Sequence, residues 1–339
     1  MFFRSRLIPL NKSHPKLPGP KDFRPIIVSS PIIKLLEARL LPKIRDYLQN
    51  HLYRGQIGFT PGLGTSVNLH RLVQKYAELS NKNERGYALF LDFKSAYNAV
   101  LHSKLFKRLK KVLNEDEIKL IQAIYSRQSI SIQDCHFTPN CGVAQGSLIS
   151  PGLFNIYVEP LYKKIEREGI SDDCIMAYAD DLLVVCPTLN HLQKVIKAVR
   201  RWCDKNNFKL NEIKSGIVEL LPRKGPYRPM FDDKDSIEGI PFTRKYKYLG
   251  TWISNKLTMD TQLNFIKQKT NFLTTKLYPL LREVSLSFRI NLWEVFLKPL
   301  FDQLIHLFLD ASKSNQDRAN RLFKYSFKRF TLLAILQID

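Results

Sequence analysis

The sequence predicts an α+β protein with a helical C-terminal part, on three observations. Residues 86–93, GYALFLDF, form a short unbroken apolar run closed by a carboxylate, as in a buried strand. Residues 174–186, CIMAYADDLLVVC, are two apolar runs on either side of a small polar turn, as in a hairpin. After Thr258 the apolar residues recur at helical spacing to the end of the chain. With 339 residues the chain is long enough for two or three subdomains around a shared core.

In chain order, the first 25 residues are rich in proline and lysine and predict an extended basic lead-in. Ile32, Ile33, Leu35, Leu36, Leu40, Leu41, Ile44 and Leu48 then fall on one helical stripe, which Pro42 should kink or divide. A glycine-rich turn, GQIGFTPGLGTS, precedes a helix capped by Thr65 or Ser66 and running to about Leu79. Beyond the strand at 86–93, helices are expected near 101–113 and 115–126. The hairpin carries Asp180 and Asp181 at or beside its tip. A helix follows from Asn190, with Leu192, Val195, Ile196, Val199 and Trp202 on one face. Residues 221–241 are broken by Pro222, Gly225, Pro226, Pro229 and Gly239 and predict loop with at most short strands. KYKYLGTWIS, residues 245–254, predicts a strand or tight hairpin, and the tail predicts helices near 258–282, 287–309 and 315–336.

Lysine and arginine number 53 against 31 aspartates and glutamates, a formal charge of +22. Such an excess points to a polyanionic partner, first of all a nucleic acid. Its bland counterpart is a merely soluble basic protein. The five cysteines, odd in number and without a Cys-x-x-Cys, argue against a disulfide framework and a zinc site, and favour a reducing intracellular compartment. No uninterrupted apolar run reaches membrane-spanning length, so no membrane partner is expected.

The chemistry lies in the carboxylates. Asp92, Asp180 and Asp181 sit at the ends of expected buried strands, where an uncompensated charge costs several kcal/mol. Grouping them adds mutual repulsion, and a divalent metal removes it. An Asp-Asp pair alone is equally an ordinary polar turn. The surrounding words decide. DFRPIIVSSPIIKLLEARL, QIGFTPGLGTSVNL, LFLDFKSAYNAV, GVAQGSLISPGLFN, YADDLLVV, NNFKLNEIKSGI and YKYLGTWIS occur in this order along nearly the whole chain. Together they resemble a reverse transcriptase of the non-long-terminal-repeat retrotransposon and group II intron branch, an organellar version included.

The resemblance implies a right-hand polymerase fold: fingers at 1–85, a palm with a mainly antiparallel sheet at 86–257 and a helical thumb at 258–339. It implies RNA-directed DNA polymerisation, adding deoxynucleotides to a primer 3′-hydroxyl with two metal ions, Mg²⁺ or alternatively Mn²⁺. Asp92, Asp180, Asp181 and the Phe93 carbonyl match the metal ligands, and Lys214 a general acid for the leaving pyrophosphate. Arg24, Lys21, Lys94, Ser95, Ala96, Tyr97 and Gln145 match the nucleotide site, with Lys16 a weaker candidate. Tyr97 stands where an aromatic ring excludes a ribose 2′-hydroxyl. Gly146, Ser147, Tyr178, Tyr248, Leu249 and Gly250 match template and primer positions. Tyr248 to Gly250 could equally be palm packing. Pro151 is placed to start the helix after Gln145 and Gly146, and Ala144 departs from the proline or arginine frequent before that glutamine. In the tail, Phe323, Tyr325, Phe327 and Phe330 favour helix packing over base stacking.

The partners implied are an RNA template, a DNA or RNA primer and deoxynucleoside triphosphates, with an intron RNA or a separate endonuclease as further candidates. No endonuclease, zinc-binding or ribonuclease H pattern is seen in the sequence, so the expectation is a stand-alone polymerase, a piece of a longer element or a domesticated remnant. An RNA-binding intron maturase or splicing cofactor is the rival function. The location expected is intracellular: a mitochondrion or other organelle, or the nucleus.

Overall fold

The computed structural model describes residues 3–11, 17, 19, 23–304 and 313–332. They fall into two compact units. One comprises Met1–Gly64 with Leu91–Ser215, the other Thr65–Phe90 with Gly216–Asp339.

The first unit opens with β1 (Arg4–Asn11) and β2 (Phe23–Ser29), antiparallel from Ser5↔Ser29 to Asn11↔Phe23. The described part of the basic lead-in is therefore mostly strand, Arg4–Asn11 and the start of β2. Prolines 9 and 25 sit opposite each other in this ladder, a residue type that marks edges in a sequence but is accommodated here. Two short strands missed by the sequence reading, β4 (Ser129–Ile132) and β5 (Cys135–Phe137), complete a sheet of order β2-β1-β4-β5, with β4 parallel to β1. At three or four residues each, they are too short to show a periodic pattern.

Helix α1 (Pro31–His51) starts at Ser30, whose hydroxyl accepts from the Ile33 amide, and runs through Pro42 undivided. Burial of Ile33, Leu40 and Ile44 on one face outweighs the hydrogen bond that Pro42 cannot donate. Helix α3 (His102–Leu109) ends short of the expected residue 113, α4 (Glu115–Arg127) matches expectation, and Asn114 and Glu117 form a reciprocal capping box at the start of α4. Helix α5 (Ser150–Glu166) has Pro151 in its first turn and is the core of the unit, burying Leu153, Phe154, Tyr157, Leu161, Tyr162 and Ile165. The expected hairpin is β6 (Ile175–Tyr178) with β7 (Asp181–Cys186). Thr188 caps α6 (Leu189–Asn206), whose buried face is the one predicted. Each fully buried aliphatic side chain on that face contributes about 1.5–3 kcal/mol.

In the second unit α2 spans Thr65–Asn81, so Thr65 and Ser66, expected as cap candidates, are its first two helical residues. Strand β3 (Gly86–Leu91), buried throughout, pairs antiparallel with β8 (Gly216–Leu220), a strand the sequence reading missed. β8 is likewise buried along its whole length, so it lacks the two-residue alternation that marks a half-exposed strand. Its Glu219 is neutralised by Arg85 at 2.6 Å. The loop 221–241 holds only β9 (Ser236–Ile237) and β10 (Ile240–Pro241), and the next segment is the hairpin β11 (Lys245–Tyr248) and β12 (Thr251–Ser254).

Among the described residues the tail holds helices α7 (Asp260–Glu283), α8 (Leu286–Phe296), α9 (Lys298–Asp302) and α10 (Lys313–Thr331). The second predicted tail helix is broken near Leu297, just before Pro299. Trp293 packs edge-on against Phe323 and Phe327, each at 5.1 Å, and Phe330 is fully buried, so these aromatics serve helix packing. Among the described residues, no helix is long and apolar enough to cross a membrane.

Candidate active site

The chain leaves the buried run 86–91 at Asp92, and the loop after α6 clasps that aspartate. The Asp92 amide donates to Ser215 Oγ at 3.1 Å, its carbonyl accepts from the Asn211 amide at 2.9 Å, and its Oδ2 accepts from Asn211 Nδ2 at 2.8 Å. Phe93 bridges to Leu210 and packs its ring edge-on against Phe208, 5.6 Å between centroids. The Lys214 amide donates to the Asn211 carbonyl at 3.1 Å, a tight turn that carries Lys214 round to the same cleft as Asp92. Asn211 lies inside a motif quoted above, yet the sequence reading did not single it out. Nothing local to NEIKSGI reveals which of its polar residues faces Asp92.

The hairpin register ends at Tyr178↔Asp181, leaving Ala179 and Asp180 as a two-residue loop. Ala179 has φ +56°, a left-handed conformation that costs a residue with a Cβ roughly 1–2 kcal/mol. Asp181 remains accessible to solvent but stands in a crowded place. Partial desolvation, then the charges of Asp180 and Asp92, push its carboxyl up to about 6. The three carboxylates predicted from sequence thus lie within electrostatic reach of one another.

Ser95, at φ +49°, turns the chain into a short 3₁₀ segment, Ala96–Ala99. That turn lays the Tyr97 ring flat on Phe154, 4.7 Å between centroids and 3° between planes. The Tyr97 hydroxyl is buried and has no hydrogen-bond partner among the described residues. Burial, then the charge of Asp180, raises its pKa, so it stays protonated. Opposite, the Ile27 amide of β2 donates to the Gln145 carbonyl at 2.7 Å. Gly146 has φ +112°, and a Cβ there would lie 2.5 Å from the Ile27 carbonyl oxygen. A close approach to protein backbone therefore requires glycine at this position.

An open cleft of ≈ 720 Å³ results. Arg24, Asp92, Phe93, Lys94, Ser95, Ala96, Tyr97, Gln145, Asp180 and Lys214 all line it, as do Phe23, Pro25, Asn98 and Asn211, which sequence reasoning did not select. Asp181, Gly146, Ser147 and Tyr178 are not on its wall. Ser147 is buried, and its hydroxyl accepts from the amides of Ile149 and Ser150 at the start of α5. Tyr248, Leu249 and Gly250 belong to the second unit, where Tyr248 is buried against Phe90 at 5.4 Å and receives a hydrogen bond from Asn68. Lys16 and Lys21 lie outside the described residues.

Among the described residues, no group of three or more His, Cys, Asp or Glu is drawn together as a ready metal cage. The chemistry of the donors still suits a hard divalent ion. Mg²⁺ is commonly held by one or two carboxylates plus substrate phosphates, without a closed protein cage. Asp180 and Asp92 both act electrostatically on the Asp181 carboxyl, so the carboxylates of the site are close enough to share a cation.

Residues 11–253 match the model of the family described as reverse transcriptase (RNA-dependent DNA polymerase). The chain is similar to the RNA-directed DNA polymerase from mobile element jockey of Drosophila melanogaster, 22% identical over 331 residues, covering 91% of this chain and 36% of that protein. It is also similar to the Pol polyprotein from the type-2 retrotransposable element R2DM of the same fly, 26% identical over 249 residues, covering 68% of this chain and 23% of that protein. The chain thus spans about a third or less of the length of these relatives. In fold it is similar to apo telomerase from Candida tropicalis, with a TM-score of 0.55, 13% identity, and coverage of 98% of this chain and 63% of that one.

Proposed function

The chain belongs to the reverse transcriptase family, and from that premise we propose that it is an RNA-directed DNA polymerase extending a primer 3′-hydroxyl with deoxynucleotides. The observation that carries this reading is one cleft holding Asp92, Asp180, Tyr97, Gln145, Arg24 and Lys214 together. RNA template and primer are the proposed partners, with 1–85 acting as fingers, 86–257 as palm and 258–339 as thumb.

Asp92, Asp180, Asp181 and the Phe93 carbonyl are the groups that would hold divalent ions, with Mg²⁺ the ion proposed and Mn²⁺ its substitute. When bound, such ions supply charge neutralisation at the attacking hydroxyl and the triphosphate. The residues of the chain do the positioning. Asn211 fixes one oxygen of Asp92 and leaves the other to the cleft. Arg24 offers a planar fork to phosphate oxygens. Lys214 stands where an ammonium could give its proton to leaving pyrophosphate. The Tyr97 ring, held by Phe154, fills the space that a ribose 2′-hydroxyl would need. Tyr248, Leu249 and Gly250 are the proposed primer-positioning residues. Basic residues of the helical tail, Lys267, Lys269 and Lys276 among them, suit a nucleic-acid backbone, with affinity that falls steeply with salt.

The test is primer extension on an RNA template with Mg²⁺ and deoxynucleotides. Wild type extends, and Asp180→Ala falls to background while RNA affinity is unchanged or improved. Retained RNA binding with no extension by wild type would favour a maturase-like binding role. Tyr97→Ala is expected to incorporate ribonucleotides more readily, and unchanged selectivity would refute the steric role of the ring.

A further inference from the structure

Gln56 lies in the glycine-rich turn between two helices, and the sequence gives it no chemical role. In the structure it is 2% exposed and makes every hydrogen bond an amide side chain can make. Its Nε2 donates to the Tyr162 hydroxyl at 2.9 Å and to the Ala179 carbonyl at 3.0 Å. Its Oε1 accepts from the Gly58 amide at 2.9 Å and from the Ala179 amide at 3.0 Å. Both backbone groups of the residue preceding Asp180 are therefore held by one side chain.

The rest of the segment supports that grip. The Ala177 amide donates to the Gly55 carbonyl at 2.8 Å, and the Ile57 amide to the Ala177 carbonyl at 3.0 Å, so residues 55–57 run beside β6 as a parallel bridge. Asn155 of α5 donates to the Gly58 carbonyl at 2.9 Å and fixes the segment from behind. The turn needs such support. Ala179 has positive φ and Asp180 does not, a sign pattern shared with type II′ turns, which favour glycine at the first central position. Alanine is present instead, and the conformation persists because its surroundings over-determine it.

We propose that Gln56 is a positioning residue that holds Ala179 in its left-handed conformation and thereby aims the Asp180 carboxylate into the cleft. This rests on the polymerase reading for its effect on activity, but not for its geometry. Without Gln56 the loop relaxes towards negative φ at residue 179, and Asp180 swings away from Asp92. Misplacement of a reacting group by about 1 Å can cost on the order of 100-fold in rate.

The experiment compares wild type, Gln56→Met, Ala179→Gly and the double variant. Methionine keeps the volume and removes the hydrogen bonds. Primer extension gives kcat and the nucleotide KM, and amide hydrogen exchange at Ala179 is followed in metal-free wild type and Gln56→Met. Gln56→Met is expected to lose roughly 10–100-fold in kcat with KM and RNA affinity little changed, and to exchange the Ala179 amide faster. Ala179→Gly, which removes the Cβ penalty, is expected to restore much of the kcat in the double variant. A wild-type kcat in Gln56→Met overturns the proposal, and so does a loss that Ala179→Gly fails to rescue. If wild type does not extend primers, the polymerase reading fails on its own. The exchange measurement then decides this inference, with faster exchange in Gln56→Met supporting it and unchanged exchange overturning it.

Discussion

Two of the tight hairpins among the described residues solve the same backbone problem differently. Tyr178-Ala179-Asp180-Asp181 and Tyr248-Leu249-Gly250-Thr251 each join two short strands through a two-residue loop, and each puts a residue with a Cβ at positive φ directly after a tyrosine. In the second, Gly250 takes φ +90° at no steric cost, so both central residues are left-handed, as hairpin twist prefers. In the first, the second central position is Asp180, and the loop is pinned from outside by the two hydrogen bonds between Gln56 and Ala179. A turn that must present a carboxylate gives up the glycine that would make it self-sufficient, and the fold supplies the missing constraint.

The contrast can be broken at several points. The largest effect is at the carboxylate itself: Asp180→Ala removes extension, because no neighbour can replace an oxygen donor there. Next is Gly58→Ala. A Cβ at Gly58 would fall 2.4 Å from the Ala179 amide nitrogen, and backbone cannot yield as a flexible side chain does. The expected cost is about 1–3 kcal/mol of stability by overpacking, read by urea denaturation, with a fall in kcat. Unchanged turnover in this variant would show that the 58–179 contact does not govern the carboxylate. The smallest is Gly250→Ala. Its Cβ would meet only the end of the Gln303 side chain, at 2.9 Å, so the penalty is the left-handed backbone, about 1–2 kcal/mol. Its kinetic signature is expected in primer affinity, and a larger loss of turnover than for Gly58→Ala would reverse the comparison.

The strands and helices with long or strongly patterned apolar runs were legible in the sequence. β3 and the hairpin of β6 and β7 announce themselves as apolar runs around carboxylates, and α6 as a one-sided stripe. β4, β5 and β8 were not, because strands this short or wholly buried carry no alternation to detect. A local rule has Pro42 kink or divide its helix, and burial of the helix face keeps the helix undivided. In the site, Asp92, Asp180, Tyr97, Gln145, Arg24 and Lys214 were identified from ordered motifs. Asn211 and Gln56 were not, since each acts on a residue 119 or 123 positions away and neither leaves a mark in its own neighbourhood.

The sequence by itself determined the inventory: the carboxylates, the order of the motifs, the basic charge and the periodicities that name most elements. These are properties of residue type and spacing, and they survive in a linear string. Tertiary structure alone decided which side chains hold the carboxylates in place, why Gly146 must be glycine, and why an alanine can stand at φ +56° beside Asp180. Those outcomes depend on hydrogen bonds and close approaches between segments distant in sequence, whose partners exist only once the chain has folded.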